Sequence, residues 1–222
     1  MERSLQNRRL AGVAGLLGAL LFFCGDMLFY GHVGSGASFH EGMQHVVREA
    51  SLIRLFIGGL LGPIAACFCI IGFWHVRQNI TPRSPLLGRL IFYSFAAMMV
   101  AGSAVHALWV PRGLASKYEV ALNTCAPDLF AALRGYWEVA YNLAAVPAYI
   151  GAVLLLFVVV FRRSIYPRWT ALANFGLLSL FAPVAARTPA PIGAILVGGF
   201  TNLSIAVFFL VSVLSTWNAT DL

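Results

Sequence analysis

The chain has 222 residues, 60% hydrophobic and only 10% charged, with a net charge of +7. A soluble domain carries about 25% charged residues, and a chain this short has too little interior to hide so much apolar surface, so a water-soluble globule is excluded and the surface faces lipid. The basic residues sit in short groups between apolar runs, which is an orientation signal rather than a nucleic-acid footprint.

About 20 apolar residues are needed to cross ~30 Å of hydrocarbon. On that measure the sequence predicts six spans, at 10–30, 52–75, 86–110, 136–161, 168–187 and 192–217. The expected fold is all-α, a polytopic transmembrane bundle forming one integral membrane domain over 1–222. The first span follows Arg3, Arg8 and Arg9. It is too long for the apolar region of a signal peptide, and Asp26 interrupts where cleavage would fall, so it is expected to be retained. Gly58 and Gly62 in the second span, Ala11, Gly15 and Ala19 in the first, and Gly198 and Gly199 in the last mark close helix approaches. Pro63, Pro147 and Pro183 fall within spans, and Thr188-Pro189-Ala190-Pro191 makes a stiff hairpin between the last two. The two halves of the chain show no convincing repeat.

With the N-terminus inside, nine basic residues (Arg3, Arg8, Arg9, Arg77, Arg83, Arg89, Arg162, Arg163 and Arg168) face the cytoplasm and six (Arg48, Arg54, Arg112, Lys117, Arg134 and Arg187) face out. Such a bias predicts both termini in the cytoplasm and a multi-pass protein of the inner (plasma) membrane, with the lipid bilayer as its partner and no nucleic acid.

Ionisable groups at membrane depth cost several kcal/mol and are functional candidates by default. Asp26, with Tyr30 one turn later, lies in the outer part of span one, and Arg54 opens span two. His106 precedes Trp109 by one turn in span three. Glu138 and Asn142 are four apart, and so share a face, in span four beside Tyr136 and Trp137. Arg187 closes span five and Asn202 lies in span six. Each has an ordinary structural explanation: snorkelling for Asp26, Arg54 and Arg187, ion pairing for Glu138, a backbone partner for His106, and interhelical hydrogen bonding for the two asparagines. Their gathering in the outer half of the bilayer predicts a shared polar cavity. An apolar site disfavours charge, so Glu138, Asp26 and His106 would supply acids and a base, with Asn142, Asn202, Trp109, Tyr136, Arg54 and Arg187 binding the ligand. A wall with 17 Phe in the chain suits a lipid-like or isoprenoid molecule, and aromatic faces stabilise cationic intermediates. The expected chemistry is acid–base isomerisation or cyclisation. A small-molecule carrier or sensor, or a structural subunit, remains the alternative.

No cofactor or metal is expected. Lys117, the sole lysine, lies in a polar loop, against a retinal Schiff base. His40-Glu41 and His45 are one position out of register for a zinc-protease motif, and i, i+5 rings on a helix do not converge. Glu41, His45 and Glu49 share a face and read as a solvated amphipathic turn, with metal binding by the loop that carries His32, His40 and His45 as the alternative. His75 and His106 are expected near opposite membrane faces, a poor axial pair for haem. Cys24, Cys67 and Cys69 are read as buried thiols, and Cys125 as a lone loop cysteine.

Gly25-Asp26, Leu60-Leu61-Gly62-Pro63 followed by Gly72-Phe73-Trp74-His75, and Tyr166-Pro167-Arg168-Trp169 resemble, in order and over nearly the whole chain, a family of uncharacterised bacterial multi-pass membrane proteins. That resemblance implies a six- or seven-span helical fold and no assigned activity. The architecture is also similar to small membrane isomerases and terpene cyclases, at fold level alone.

Overall fold

The computed structural model describes residues 2–31, 46–119, 128–161, 163–185, 187–188 and 192–219. Cys125, Arg162 and the loop with His32, His40, Glu41 and His45 lie outside them. Four long helices come first: α1 (Glu2–Tyr30), α2 (Leu52–Ile80), α3 (Pro85–Ala107), extended after a break at Leu108 by α4 (Trp109–Lys117), and α5 (Leu129–Val160). A 3-10 helix (Arg168–Ala173) and two short helices, α6 (Phe175–Ser179) and α7 (Ala182–Ala185), lead to the last long helix, α8 (Ile192–Thr216). Five helical stretches are long and apolar enough to cross a membrane: Leu5–Tyr30, Leu52–Ile80, Pro85–Lys117, Ala131–Val160 and Gly198–Thr216.

Local chemistry explains the boundaries. Ser51 caps α2, its Oγ accepting from Arg54 N at 3.3 Å. Pro85 starts α3, where its missing N–H costs nothing. The expected span over 168–187 is not one helix. Asn174 interrupts it: its Oδ1 accepts from Gly176 N and its Nδ2 donates to Ala152 O, both at 2.9 Å, so it caps α6 while tying the segment to α5. Pro183 then has no N–H to donate to the Ser179 carbonyl, so α6 ends at Ser179 and is not continued into α7. Apolar composition made this segment look like a span, and two residues of local chemistry divide it.

α1 packs along α2, α2 on α3, α3 on α5, and α8 returns against α1. The start of α1 and the end of α8 meet: Arg9 Nε donates to Trp217 O at 2.7 Å and its guanidinium lies 4.8 Å from the Trp217 ring. This is called the terminal end below. At the far end, the end of α1 packs on Gly198 and Gly199 of α8, which leave room for Tyr30 and Phe23. Between the ends lies an aromatic core in which Phe73 contacts Phe95 at 4.4 Å and Phe209 at 4.9 Å between ring centroids. At Gly15 and Gly72 α1 and α2 approach so closely that a Cβ on Gly15 would sit 2.7 Å from the other glycine's Cα. Gly15 is one of the small residues expected at a close approach, whereas Gly72 is not among them.

Candidate functional site

The far end holds a buried polar centre. Asp26 of α1 and His106 of α3 are each only 5% exposed, with His106 Nε2 3.3 Å from Asp26 Oδ1. Tyr30 donates its hydroxyl to Oδ1 and Asn202 of α8 donates its Nδ2 to Oδ2, both at 2.6 Å. Tyr30 stands one turn after Asp26, so the same helix supplies carboxylate and phenol. Three helices thus fix one carboxylate through both oxygens. The imidazole is walled by Phe22 and Phe29, with ring centroids at 5.3 and 5.1 Å, and Trp109 packs on Phe29 and Tyr30 at 5.8 and 5.6 Å.

Glycines make the slot for the imidazole. A Cβ on Gly62 would lie 2.5 Å from His106 Cβ, and one on Gly25 would lie 2.5 Å from His106 Cε1. Gly58 makes room for Phe29 in the same way. The Gly58/Gly62 pair therefore seats the side chains of this centre as well as bringing helices together. Among the described residues, His106 Nδ1 has no hydrogen-bond partner, and Nε2 faces Asp26 at ion-pair distance without hydrogen-bond geometry.

Of the residues expected at one site, the structure brings together Asp26, His106, Asn202 and Trp109. Arg54 lies nearby in another role, its Nε donating to Leu28 O at 3.2 Å and closing the last turn of α1. Glu138 is not beside His106. It is exposed and accepts from Arg134 Nε one turn earlier at 3.0 Å, with side chains 54% and 59% exposed. Asn142, Tyr136 and Arg187 also face outward. The first 22 residues of α5, 129–150, have no buried position among their described side chains, so the face shared by Glu138 and Asn142 turns away from the bundle. The buried-thiol reading holds for Cys69 alone of the three described cysteines: Cys24 and Cys67 are exposed.

Sequence reasoning missed a second buried polar cluster, at the terminal end. His75 Nδ1 lies 2.8 Å from Arg8 O, and Nε2 lies 3.0 Å from both Ser212 Oγ and Asn79 Nδ2. A backbone carbonyl only accepts, so Nδ1 carries the proton and Nε2 is the acceptor. Asn79 Nδ2 also donates to Tyr166 OH at 3.0 Å, and Tyr166 OH pairs with Ser212 Oγ at 2.7 Å. Burial pushes the Tyr166 phenol up to about 12, so it is a neutral hydroxyl. A narrow recess beside Tyr166, Ser212, Thr170 and Asn174 has room for about one water. The legible signal was the four-residue spacing of His75/Asn79 and of Ser212/Thr216, which puts each pair on one helix face.

No group of three His, Cys, Asp or Glu side chains among the described residues is arranged to hold a metal ion. The fold and its buried polar centres define an all-α protein with five helices fit to cross a membrane. The chain belongs to the Family of unknown function (DUF6796), whose model matches residues 1–219. No curated protein and no solved structure matches it.

Proposed function

We propose that this is a multi-pass protein of the plasma (inner) membrane whose working centre is the Asp26–His106 couple, acting as an acid–base enzyme of isomerase or cyclase type on a lipid-like or isoprenoid molecule. The observation that carries this reading is a carboxylate and an imidazole 3.3 Å apart, both buried within the bundle; within a membrane such ionisable groups are costly and mark function. Tyr30 and Asn202 orient the carboxylate through its two oxygens, leaving the imidazole to take or give the proton. The rings of Phe22, Phe29 and Trp109 around it offer faces that stabilise developing positive charge.

Topology supports the membrane part. Chain ends that meet at one end of a bundle need an even number of crossings. Five helices supply five, and the broken segment 168–188, which joins the end of α5 to the start of α8, supplies the sixth. Irregular backbone at this depth is tolerated where protein satisfies it, as Asn174 does here. The basic residues favour the terminal end as cytoplasmic, which makes the Asp26–His106 end the outer one.

A carrier or sensor built on the same couple is the second reading. The close seating of His106 against Gly25 and Gly62 favours it, since a ligand then reaches the imidazole only when helices move.

The test is mass spectrometry of small molecules released from protein purified in mild detergent, wild type beside Asp26→Asn and His106→Gln. The expected result is a defined isoprenoid or sterol-like species kept unconverted by the variants and converted by wild type. Ligand bound by all three but converted by none favours the carrier or sensor. Bulk phospholipid alone in every sample, with less stable variants, sinks both readings and leaves a structural role.

A further inference from the structure

We infer that Arg112 and Trp137 form an anion site, at the rim of the Asp26–His106 centre, that binds phosphate oxygens, most directly those of an anionic lipid headgroup. This deepens the preceding reading and rests on it only for what the rest of the lipid meets. Arg112 of α4 is held between two indoles, its guanidinium carbon 4.6 Å from the Trp109 ring and 4.8 Å from the Trp137 ring. The two indoles contact each other edge-on at 5.4 Å, so the cation is fixed in direction before any ligand arrives.

Two nitrogens in this cluster lack acceptors. Arg112 Nη1 and Trp137 Nε1 are buried and have no hydrogen-bond partner among the described residues. Both groups are donors only, so another donor cannot satisfy them and whatever does must bring acceptor oxygens. A buried donor left unmade is costly, and these two belong to side chains of α4 and α5 that are in contact. The local acids are committed elsewhere: Glu138 pairs with Arg134 at 3.0 Å and Glu119 with Arg48. Among the described residues no salt bridge neutralises Arg112. A permanent cation beside an indole N–H matches the several acceptor oxygens and negative charge of a phosphate.

The position links this site to the centre below it. Trp109 touches Tyr30 at 5.6 Å, and Tyr30 donates to Asp26 at 2.6 Å. Tyr141, half exposed, stacks on Trp137 at 5.3 Å and is the outermost ring of the cluster. A lipid approaching along the loosely packed outer half of α5 meets Tyr141 first, which must turn to admit the headgroup. With its phosphate on Arg112, the atoms next to the headgroup lie within one aromatic ring of Tyr30 and Asp26. The lipid-like molecule of the preceding section is thereby given a class, one with an anionic phosphate head.

The experiment is native mass spectrometry of the full chain in mild detergent with phosphatidylglycerol or phosphatidylcholine, and a second arm adding millimolar inorganic phosphate. Wild type is expected to retain phosphatidylglycerol about tenfold more tightly than phosphatidylcholine, and Arg112→Gln to lose that preference. Trp137→Phe keeps the ring and removes the N–H, so it is expected to weaken retention severalfold with the melting temperature preserved, which decides the matter should Arg112→Gln fail to fold. Competition by inorganic phosphate identifies the free ion as occupant and its failure identifies the lipid; both support a phosphate site. Equal retention of the two lipids by wild type with no competition by inorganic phosphate, or unchanged retention in Trp137→Phe, overturns it. None of these measurements needs turnover, so a failed acid–base reading leaves them standing, and a failed anion site leaves the Asp26–His106 couple untouched.

Discussion

His75 and His106 lie at opposite ends of the bundle, the first held by α1 and α8 and the second by α1 and α2, yet they are partnered in opposite ways. His75 meets a backbone carbonyl, a serine and an asparagine, all uncharged, and both its nitrogens are within 3.0 Å of a partner. Its tautomer is fixed, and the start of α1 is tied beside it to the end of α8, where Arg8 reaches Ala219 O and Arg9 reaches Trp217 O. His106 meets a carboxylate at 3.3 Å, with one nitrogen lacking a partner among the described residues. The first arrangement is a lock, because both imidazole nitrogens are satisfied in one state, Asn79 Oδ1 alone among its side-chain partners' atoms being left without a hydrogen bond among the described residues. The second has somewhere to put a proton and a carboxylate to balance it.

The largest effect is expected at the His75 lock. His75→Leu strands Ser212, Asn79 and the Arg8 carbonyl together, and an unmet buried polar group costs about 1–3 kcal/mol each. The expected loss is about 3 kcal/mol or more, read by unfolding in mixed micelles, with ligand chemistry per folded molecule unchanged. A variant as stable as wild type would deny His75 its structural role.

Gly62→Ala comes next, and it acts on the other histidine. Its methyl would lie 2.5 Å from His106 Cβ, and overpacking of this kind costs about 1–3 kcal/mol. The same change should displace the imidazole from Asp26, so the His106 ring signals in nuclear magnetic resonance should move while those of His75 stay. Movement of both would mean the two ends are not independent.

Asp26→Asn sharpens the comparison by separating stability from chemistry. The amide keeps an oxygen for Tyr30 or Asn202 but no carboxylate for His106. The expected cost in stability is about 1 kcal/mol, well below that of His75→Leu, while on the proposed acid–base function conversion of a bound molecule falls by about 100-fold or more. The reverse pattern, a large stability loss with chemistry intact, would make the Asp26–His106 couple a second lock.

Much of the fold was legible because crossing a membrane needs only length and apolar composition, and those are written in the sequence directly. The segment over 168–187 was not, since Asn174 and Pro183 break a helix that composition alone extends. The site was legible as to depth: Asp26, His106, Asn202 and Trp109 were singled out as polar or amphipathic groups at one level and do converge. Azimuth was not legible for α5. Glu138 and Asn142 share a face as their spacing requires, but which way that face turns depends on how α5 leans on α3, and no pattern along α5 itself records that. The His75 network was missed for a related reason, because Asn79, Ser212 and Thr216 are individually unremarkable and acquire meaning only when three helices meet.

Glu138→Gln carries the smallest expected effect and tests that failure of azimuth. An acid–base role for Glu138 would need it against His106, whereas it pairs with Arg134 across one helical turn with more than half of each side chain exposed. Exposed i, i+4 pairs are worth about 0.3–0.5 kcal/mol, so the variant should unfold within ~0.5 kcal/mol of wild type and convert its bound molecule at the same rate. Glu138 does sit near Arg112, and removing its charge leaves that cation less balanced, so a slightly tighter hold on an anionic lipid is the one change expected. Loss of conversion in Glu138→Gln, with Asp26→Asn active, would transfer the chemistry to the exposed face of α5 and leave the Asp26–His106 couple as packing.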